Sequence, residues 1–288
     1  MAHAVELHIH PDPVTTILPH FLPSYLPGSL TLSYIVSHAY ATRSLVLAPF
    51  SPSSAPPENA PWSTAALDPA EPDATRTWFW TSAADDDAHG GEHLAAALRR
   101  AATLRPELQS VKIGALHAPL ARSIPRAATL YLTTWAQLAF SRPHLPPPSA
   151  ALERAYAFRP LDEDGLDDVL AGSVIPRTRA SLQAMPSNTA AHDRVSGRAV
   201  AWAFTLRQGS VGLVFVREEY RGKGLGREVM AREARRACEE EGKEWVLAEV
   251  HEKNVESLAV CRACGAARIG EVVWIEVTLD AYREKNVE

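Results

Sequence analysis

The stretch that decides the fold is Arg221-Gly222-Lys223-Gly224-Leu225-Gly226-Arg227. An apolar, strand-like run precedes it at 210–216, and a run with helical periodicity follows it at 225–241. Glycines at alternate positions let the backbone turn tightly and bring its amide groups close to a ligand, and a helix N-terminus adds partial positive charge. Because three cationic side chains share this loop, the pattern predicts a cradle for a diphosphate.

Other glycine-rich loops fit the pattern less well. A Rossmann site has Gly-x-Gly-x-x-Gly early in a βαβ unit and an acidic residue ~20 positions later, whereas the spacing here is Gly-x-Gly-x-Gly late in the chain. A P-loop requires Gly-Lys followed by Ser or Thr, which is absent. A turn that merely starts a helix would explain one pair of glycines, but it does not explain three glycines together with three cations.

The composition is that of an ordinary globular chain. Its 288 residues are 46% hydrophobic and 22% charged, which argues against bulk disorder. The net charge of -5 gives no general attraction to nucleic acid, so we expect no such partner. No window holds the ~18 continuous apolar residues of a membrane span. Residues 1–10 lack a signal pattern, and the three cysteines are few and clustered, so we expect a cytoplasmic protein with no membrane partner.

Consecutive prolines at 146–148 indicate a linker, which predicts an N-terminal domain over 1–146 and a C-terminal domain over 150–288. The first domain is rich in Ala, Pro and Ser. Patterns of β-branched, aromatic and apolar residues predict its elements. They are strands at 30–37, 44–48 and 75–81, a proline-rich surface loop at 49–72 and a helix at 91–103.

The second domain alternates strand and helix patterns. Strands are predicted at 152–158, 200–206, 210–216, 245–250 and 272–279, and helices at 162–170, 225–241 and 255–264. This order predicts an α/β (α+β) fold with a mixed sheet flanked by helices.

Arg221-x-x-Gly224-x-Gly226 after an apolar strand resembles the acyl-CoA signature of the GCN5-related N-acetyltransferase (GNAT) superfamily. Downstream, Asn254-x-x-Ser257 resembles the next motif of that superfamily. The runs Arg198-Ala-Val-Ala-Trp202 and Glu219-Tyr220-Arg221-Gly222-Lys223-Gly224-Leu225 resemble its glycine N-acyltransferase-like branch. The stretch Leu26-Pro-Gly-Ser-Leu30 is similar to the amino-terminal half of the same branch.

The resemblance implies a GNAT fold with a degenerate GNAT-like N-terminal half and one cosubstrate, acetyl-CoA or another acyl-CoA. Two central strands would splay apart so that the acyl-pantetheine arm fits between them. A bulge in strand 210–216 would aim a backbone N–H at the thioester carbonyl. The implied acyl-CoA-binding residues are Val214, Phe215, Val216, Arg221, Gly222, Lys223, Gly224, Leu225, Gly226, Arg227, Asn254 and Ser257.

The reaction also requires a base that takes the proton from the amine and an acid that protonates the thiolate. In the branch a Glu near the start of the pantetheine strand acts as the base, and the corresponding residue here is Ser210, which cannot take that role. Glu249 and His251 lie on one face of the next strand and are the candidate bases. In many members of the superfamily a tyrosine protonates the departing thiolate. The corresponding residue here is Cys261, whose thiol can either donate a proton or serve only as a buried packing group.

The sequence therefore predicts an N-acyltransferase that transfers an acyl group to the amine of a small molecule or amino acid by direct attack. One alternative is a catalytically degenerate module that only binds acyl-CoA, because of Ser210. Another is a protein or polyamine N-acetyltransferase that uses the acidic run at 162–168 as an acceptor groove. No metal is expected, since 85–87 fits a solvated turn and Cys261-x-x-Cys264 lacks a second pair.

Overall fold

The computed structural model describes residues 5–21, 25, 28–38, 44–58, 60–68, 76–82, 87–173 and 177–283. The chain forms two compact units. The first comprises Met1–Trp135 and Gly270–Glu288, and the second comprises Ala136–Ile269.

The first unit contains a mixed sheet with helices packed on it. Its strands follow the order β1-β2-β3-β4-β5-β12, in which β4 and β5 are parallel and the other recorded neighbours are antiparallel. The elements are β1 (His8–Ile9), α1 (Pro13–Thr16), α2 (Leu30–Ser37), β2 (Leu45–Ala48), β3 (Ser63–Asp68), β4 (Arg76–Thr81), α3 (Asp87–Leu104), β5 (Ser110–His117), the start of β6 (Thr129–Ser141) and most of β12 (Ala267–Thr278).

The second unit holds the glycine-rich loop. Its antiparallel sheet has the order β10-β9-β8-β7, and a separate strand, β11, is hydrogen-bonded to β6. The elements are α4 (Ala150–Ala155), β7 (Tyr156–Arg159), α5 (Glu163–Gly172), α6 (Arg179–Gln183), β8 (Ser187–Asp193), β9 (Ala199–Thr205), β10 (Val211–Val216), α7 (Leu225–Glu240), β11 (Trp245–His251) and α8 (Val255–Ala263).

Two apolar cores lie on opposite faces of the β10-β9-β8-β7 sheet. On one face α7 and α8 pack with Val200, Ala201 and Val211, and this group is called the α7 core below. On the other face α5 and α6 pack with Trp202 and Phe204, and this group is called the α5 core. The predicted mixed sheet flanked by helices is confirmed.

The strand predicted at 30–37 is wrong, because Leu30–Ser37 forms helix α2. Every residue from Leu30 to Val36 is buried, so the run shows no one-sided periodicity, and a short continuous apolar run does not distinguish a helix from a strand. Ser33 and Ser37 donate side-chain hydrogen bonds to backbone carbonyls three residues earlier. Tertiary burial therefore outweighs the β-branched composition of this segment.

The surface loop predicted at 49–72 is also wrong in part, because it contains strand β3. The sequence Ser-Thr-Ala-Ala-Leu-Asp has little strand propensity, yet β3 pairs with β2 on one side and β4 on the other.

The strand predicted at 152–158 is wrong in part. This segment begins as helix α4, capped by the Ser149 hydroxyl, and becomes extended only at Tyr156. Strands β5, β6 and β8 were not predicted.

The boundary between the two units lies ahead of the prolines at 146–148 that indicate a linker. The second unit begins at Ala136, inside strand β6, and the last residues of the chain group with the first unit. The reason is strand pairing, since Val272–Thr278 lies antiparallel to Ser110–His117. Such pairing joins residues far apart in sequence and leaves no local signal.

Burial lowers the pKa of His10 and His93 in the first unit, because it disfavours the charged form of each imidazole in the folded state. The unfolded chain takes up these protons as the pH falls below ~6.5, which weakens folding in that range. We expect the melting temperature to fall between pH 7.5 and 5.5, and to fall less in His93→Gln. The exposed His117→Gln is the control and should behave as the wild type; a His93→Gln slope equal to that of the wild type would contradict the assignment.

Candidate functional site

The loop 221–227 joins β10 to α7 and has the conformation its glycines predict. Gly222 and Gly224 have φ values of 75° and 82°, in the left-handed region. A Cβ atom added at either position would meet no atom within 4 Å, so the backbone there borders open space. Gly224 is the N-cap residue of α7 and supplies no side-chain cap. The first-turn amides of α7 therefore keep the partial positive charge that favours an anion.

Gly226 has a different role from the other two glycines. A Cβ atom there would lie 3.3 Å from Val216 Cγ2 and 3.7 Å from Val260 Cγ2. The absence of a side chain lets the first turn of α7 approach strand β10 and helix α8 closely. Gly226 thus fixes the position of the helix N-terminus, and Gly222 and Gly224 shape the cradle itself.

The three cations of the loop are exposed, and two of them are held by backbone carbonyls that precede the loop. The Arg221 Nε donates to the Val216 carbonyl at 3.2 Å, and the Lys223 Nζ donates to the Glu219 carbonyl at 3.2 Å. The Lys223 ammonium also lies 4.7 Å from the ring centroid of Tyr220. Exposed cations around uncapped amides are suited to bind a diphosphate.

Strand β10 carries the predicted bulge. Gly212 pairs with Phe204 and Phe215 pairs with Trp202, so two residues of β10 oppose one residue of β9. Leu213, in the bulge, has a φ of 52°, which is rare for a residue with a side chain. The bulge turns the peptide groups of this segment out of the regular ladder.

Strands β10 and β11 do not pair with each other. β10 is the end strand of the four-stranded sheet, and β11 is hydrogen-bonded to β6. One backbone edge of β10 bonds to β9, and its other edge belongs to no ladder in the described residues. Val214 and Val216 pack on the α7 core, whereas Phe215 stacks on Trp202 with ring centroids 4.6 Å apart. The strand therefore offers a free edge between two apolar layers.

Asn254 begins helix α8 and serves as its cap. Its side-chain oxygen accepts the Ser257 N–H at 3.0 Å, and its own N–H donates to the His251 carbonyl at 2.8 Å. Sequence reasoning assigned both Asn254 and Ser257 to acyl-CoA binding. The structure gives the pair a local role in starting the helix, which leaves the side-chain amide of Asn254 for other contacts.

Glu249 and His251 share a face of β11, as alternation predicted. Val246, Ala248 and Val250 point into the α7 core, so Glu249 and His251 lie on the opposite face. Both side chains are partly exposed. The His251 Nδ1 accepts the Lys253 N–H at 3.2 Å, so the lone pair of that nitrogen is engaged in a local hydrogen bond.

Cys261 is buried in the α7 core, with 1% of its surface exposed. Burial raises the pKa of this thiol to about 11, which keeps it protonated at neutral pH. Cys264 is equally buried, and its thiol lies 3.4 Å from the Arg227 carbonyl. The structure thus favours the packing role of Cys261 over the proton donor that the resemblance implied.

In the first unit, the start of helix α3 does not form a matching cradle. The helix begins at Asp87, the last of three consecutive aspartates, and Asp85, Asp86 and the side chain of Asp87 lie outside the described residues. A Cβ atom at Gly90 would lie 2.6 Å from Leu120, and one at Gly91 would lie 2.7 Å from Ser123. The 3-10 turn Ala118–Ser123 therefore packs directly on the first turns of α3.

Glu233 is a buried polar residue that sequence reasoning missed. It lies in α7 with no exposed surface, and its carboxylate accepts hydrogen bonds from the Ser187, Thr189 and Thr205 hydroxyls. Its position three residues after Met230, within the apolar stripe of the helix, was the available signal, because a charged residue on a buried stripe requires partners.

The described residues contain neither a candidate metal cluster nor a candidate membrane span. Among them, no group of three or more His, Cys, Asp and Glu side chains is placed to hold a metal ion. In the same part of the chain, no helix has the length and apolar character that crossing a membrane requires.

Comparison with known proteins supports the mixed α/β fold described above. Residues 190–275 match a family model described as FR47-like protein. No curated protein matches the sequence. A tandem GNAT protein from the clavulanic acid biosynthesis pathway is similar in structure, with 13% identity, a TM-score of 0.53 and coverage of 95% of this chain and 99% of the other.

Two further solved structures are similar. A Drosophila protein has a TM-score of 0.60 and 13% identity, covering 84% of this chain and 81% of the other. A GCN5-related N-acetyltransferase from Sphaerobacter thermophilus has a TM-score of 0.50 and 15% identity, covering 75% of this chain and 76% of the other. At these identities the likeness shows the fold alone. The chain has the GNAT fold, and its FR47-like segment contains the glycine loop.

Proposed function

We propose that the chain is an acyl-CoA-dependent N-acyltransferase whose donor is acetyl-CoA or another acyl-CoA. The observation that carries the proposal is the loop 221–227, which combines two left-handed glycines bordering open space, three exposed cations and an uncapped helix start. It lies at the end of a bulged strand with a free edge. Acyl-CoA has a group for each feature: its pyrophosphate would bind the loop, and its amide-bearing pantetheine arm would lie along the free edge of the strand.

Different groups of residues would bind different parts of acyl-CoA. The loop Arg221–Arg227 would hold the pyrophosphate through backbone amides and cationic side chains. The backbone of Val214, Phe215 and Val216 would pair with the pantetheine amides, because its outer edge has no strand partner in the described residues. Asn254 would lie at the acyl end of the cleft, with Ser257 in the first turn of α8.

The acceptor is an amine that attacks the thioester carbonyl directly. A nitrogen–carbon bond forms, the carbon–sulfur bond breaks, and CoA leaves as a thiolate that finally takes up the proton released by the amine. We assign Glu249 as the base that takes the amine proton, because His251 already uses Nδ1 to accept the Lys253 N–H. The bulge at Leu213 would direct a backbone N–H at the carbonyl oxygen as negative charge develops there.

A small molecule or amino acid fits better as acceptor than a polyamine or a basic protein segment. The acidic residues of α5 are already engaged: Asp162 caps the helix, Asp167 pairs with Arg179, and Asp168 pairs with Arg217. The run 162–168 thus acts as a helix start with ion pairs rather than as an open acidic groove. We place the chain near the glycine N-acyltransferase-like branch, although Ser210 argues against glycine itself.

A catalytically degenerate module is the second candidate, and Ser210 favours it. This residue replaces the branch's Glu and is buried, with 2% of its surface exposed. Mass spectrometry after incubation with acetyl-CoA and mixtures of small amines distinguishes the two. Acylated amine supports the enzyme, and retention of CoA without any product supports the binding module.

Calorimetric titration with acetyl-CoA tests the donor site, and we expect one site per chain. The first unit lacks an Arg-x-x-Gly-x-Gly pattern, and its α3 start is packed against Ala118–Ser123. Two equivalent sites would contradict the assignment of the first unit as a degenerate half without a cofactor. Absence of any binding would contradict the proposed function itself.

A further inference from the structure

Helix α7 is attached to its sheet by a buried polar cluster rather than by apolar contacts alone. Glu233, fully buried, accepts hydrogen bonds from Thr205 Oγ1 at 2.6 Å, Ser187 Oγ at 2.7 Å and Thr189 Oγ1 at 2.8 Å. The guanidinium of Arg236, one turn further along the helix, pairs with the same carboxylate. A buried carboxylate with this set of donors is costly to disrupt, because removing one partner leaves the others unsatisfied.

The cluster links the two parts of the proposed acyl-CoA site. At one end, α7 begins at Gly224 and carries the pyrophosphate loop. At the other, Thr205 pairs with Val211, the first residue of strand β10, which would hold pantetheine. A change in how α7 lies on β9 would therefore shift the loop relative to the strand.

Apolar packing alone would fix the position of α7 on the sheet less strictly than the hydrogen bonds to Glu233 do. The α7 residues that pack on the sheet include Val229, Ala234 and Ala237, whose contacts are non-directional and tolerate small sliding movements. Hydrogen bonds from hydroxyls on two different strands to one carboxylate fix both the rotation and the axial position of the helix. A ligand that touches both the helix start and β10 requires that fixed position.

We propose that Glu233 is a positioning residue for acyl-CoA binding, which acts by holding α7, and thus the loop 221–227, in register with β10. This inference rests on the proposed function. It does not make Glu233 a ligand of acyl-CoA, since the residue is two turns into the helix. Its effect is on donor affinity, with little effect on the reaction of bound donor.

The chain offers a matched pair of variants. Thr205→Val and Thr189→Val each remove one buried hydroxyl donor to Glu233 without changing side-chain shape. Thr205 lies on β9 beside β10, whereas Thr189 lies on β8, with β9 between it and β10. A purely structural role predicts equal effects from the two variants, and a positioning role predicts unequal ones.

The experiment measures acetyl-CoA affinity by calorimetry and melting temperature for both threonine variants and for Glu233→Gln. We expect Glu233→Gln to raise the Kd about tenfold, and Thr205→Val to raise it clearly more than Thr189→Val at a similar loss of melting temperature. In turnover assays the effect should appear in KM for acetyl-CoA rather than in kcat.

Equal Kd values for the two threonine variants would overturn the inference while leaving the proposed function intact. The threonine pair keeps the test decisive if Glu233→Gln does not fold. Wild-type protein that binds no acetyl-CoA would instead refute the proposed function, on which the inference rests.

Discussion

Gly224→Val is expected to abolish the thermal protection that CoA gives to the wild-type protein. Gly224 has a φ of 82°, so a β-branched residue there is strained by ~1–2 kcal/mol. Its Cβ would meet no protein atom within 4 Å, so the side chain projects into the space assigned to the pyrophosphate. The variant should therefore remain folded and lose CoA. Differential scanning fluorimetry with and without CoA measures both effects.

Gly242→Val is the matched control. Gly242 also has a positive φ, 60°, and also borders open space, so the same substitution imposes a similar backbone strain. It follows the opposite end of α7, ~24 Å from the loop at 1.5 Å per residue. We expect Gly242→Val to lose stability and keep full CoA protection. Protection retained in Gly224→Val would count against the loop as the binding site.

The parts of the fold that sequence predicted are those with local signals. Helix α7 was predicted because Val229, Met230 and Ala234 recur at helical spacing, and all three are buried. The loop before it followed from the glycine and cation pattern, and β9, β10 and β11 followed from apolar runs bounded by turns. Each of these signals lies within a few residues of the element that it specifies.

The parts that sequence did not predict depend on distant partners. Strand β12 pairs with β5, and the Ser110 hydroxyl bonds to Glu276, 166 positions away. No local pattern in either segment encodes that pairing, so it cannot be predicted from either segment alone. Helix α2 was mistaken for a strand for the same reason, because burial on all sides erased its periodicity.

The site shows the same limit at the level of single residues. The resemblance implied a place for Asn254 in acyl-CoA binding, and the structure adds that its side-chain oxygen caps α8. The resemblance also made Cys261 a candidate acid, and the structure adds that the residue is buried in the α7 core. Motif positions define where a group lies along the chain, and only packing determines which way its side chain points.

Glu249→Gln is expected to lower turnover about 100-fold or more, the usual range for losing a general base, with acetyl-CoA affinity little changed. Glutamine keeps the size of the side chain and removes its ability to take a proton from the amine. Glu249 lies on the face of β11 opposite the α7 core. The measurement is kcat on the acceptor identified by mass spectrometry, together with calorimetric Kd.

Two further variants serve as the control and as the test of the second candidate base. Glu244→Gln makes the same chemical change at an exposed position just before β11 and should leave turnover unchanged. His251→Ala distinguishes the second candidate base: because Nδ1 accepts the Lys253 N–H, we expect a smaller loss than in Glu249→Gln. If His251→Ala lost more activity than Glu249→Gln, the assignment of the base would be reversed. If both variants kept near wild-type turnover, the amine proton would leave through water, and neither side chain of β11 would be the base.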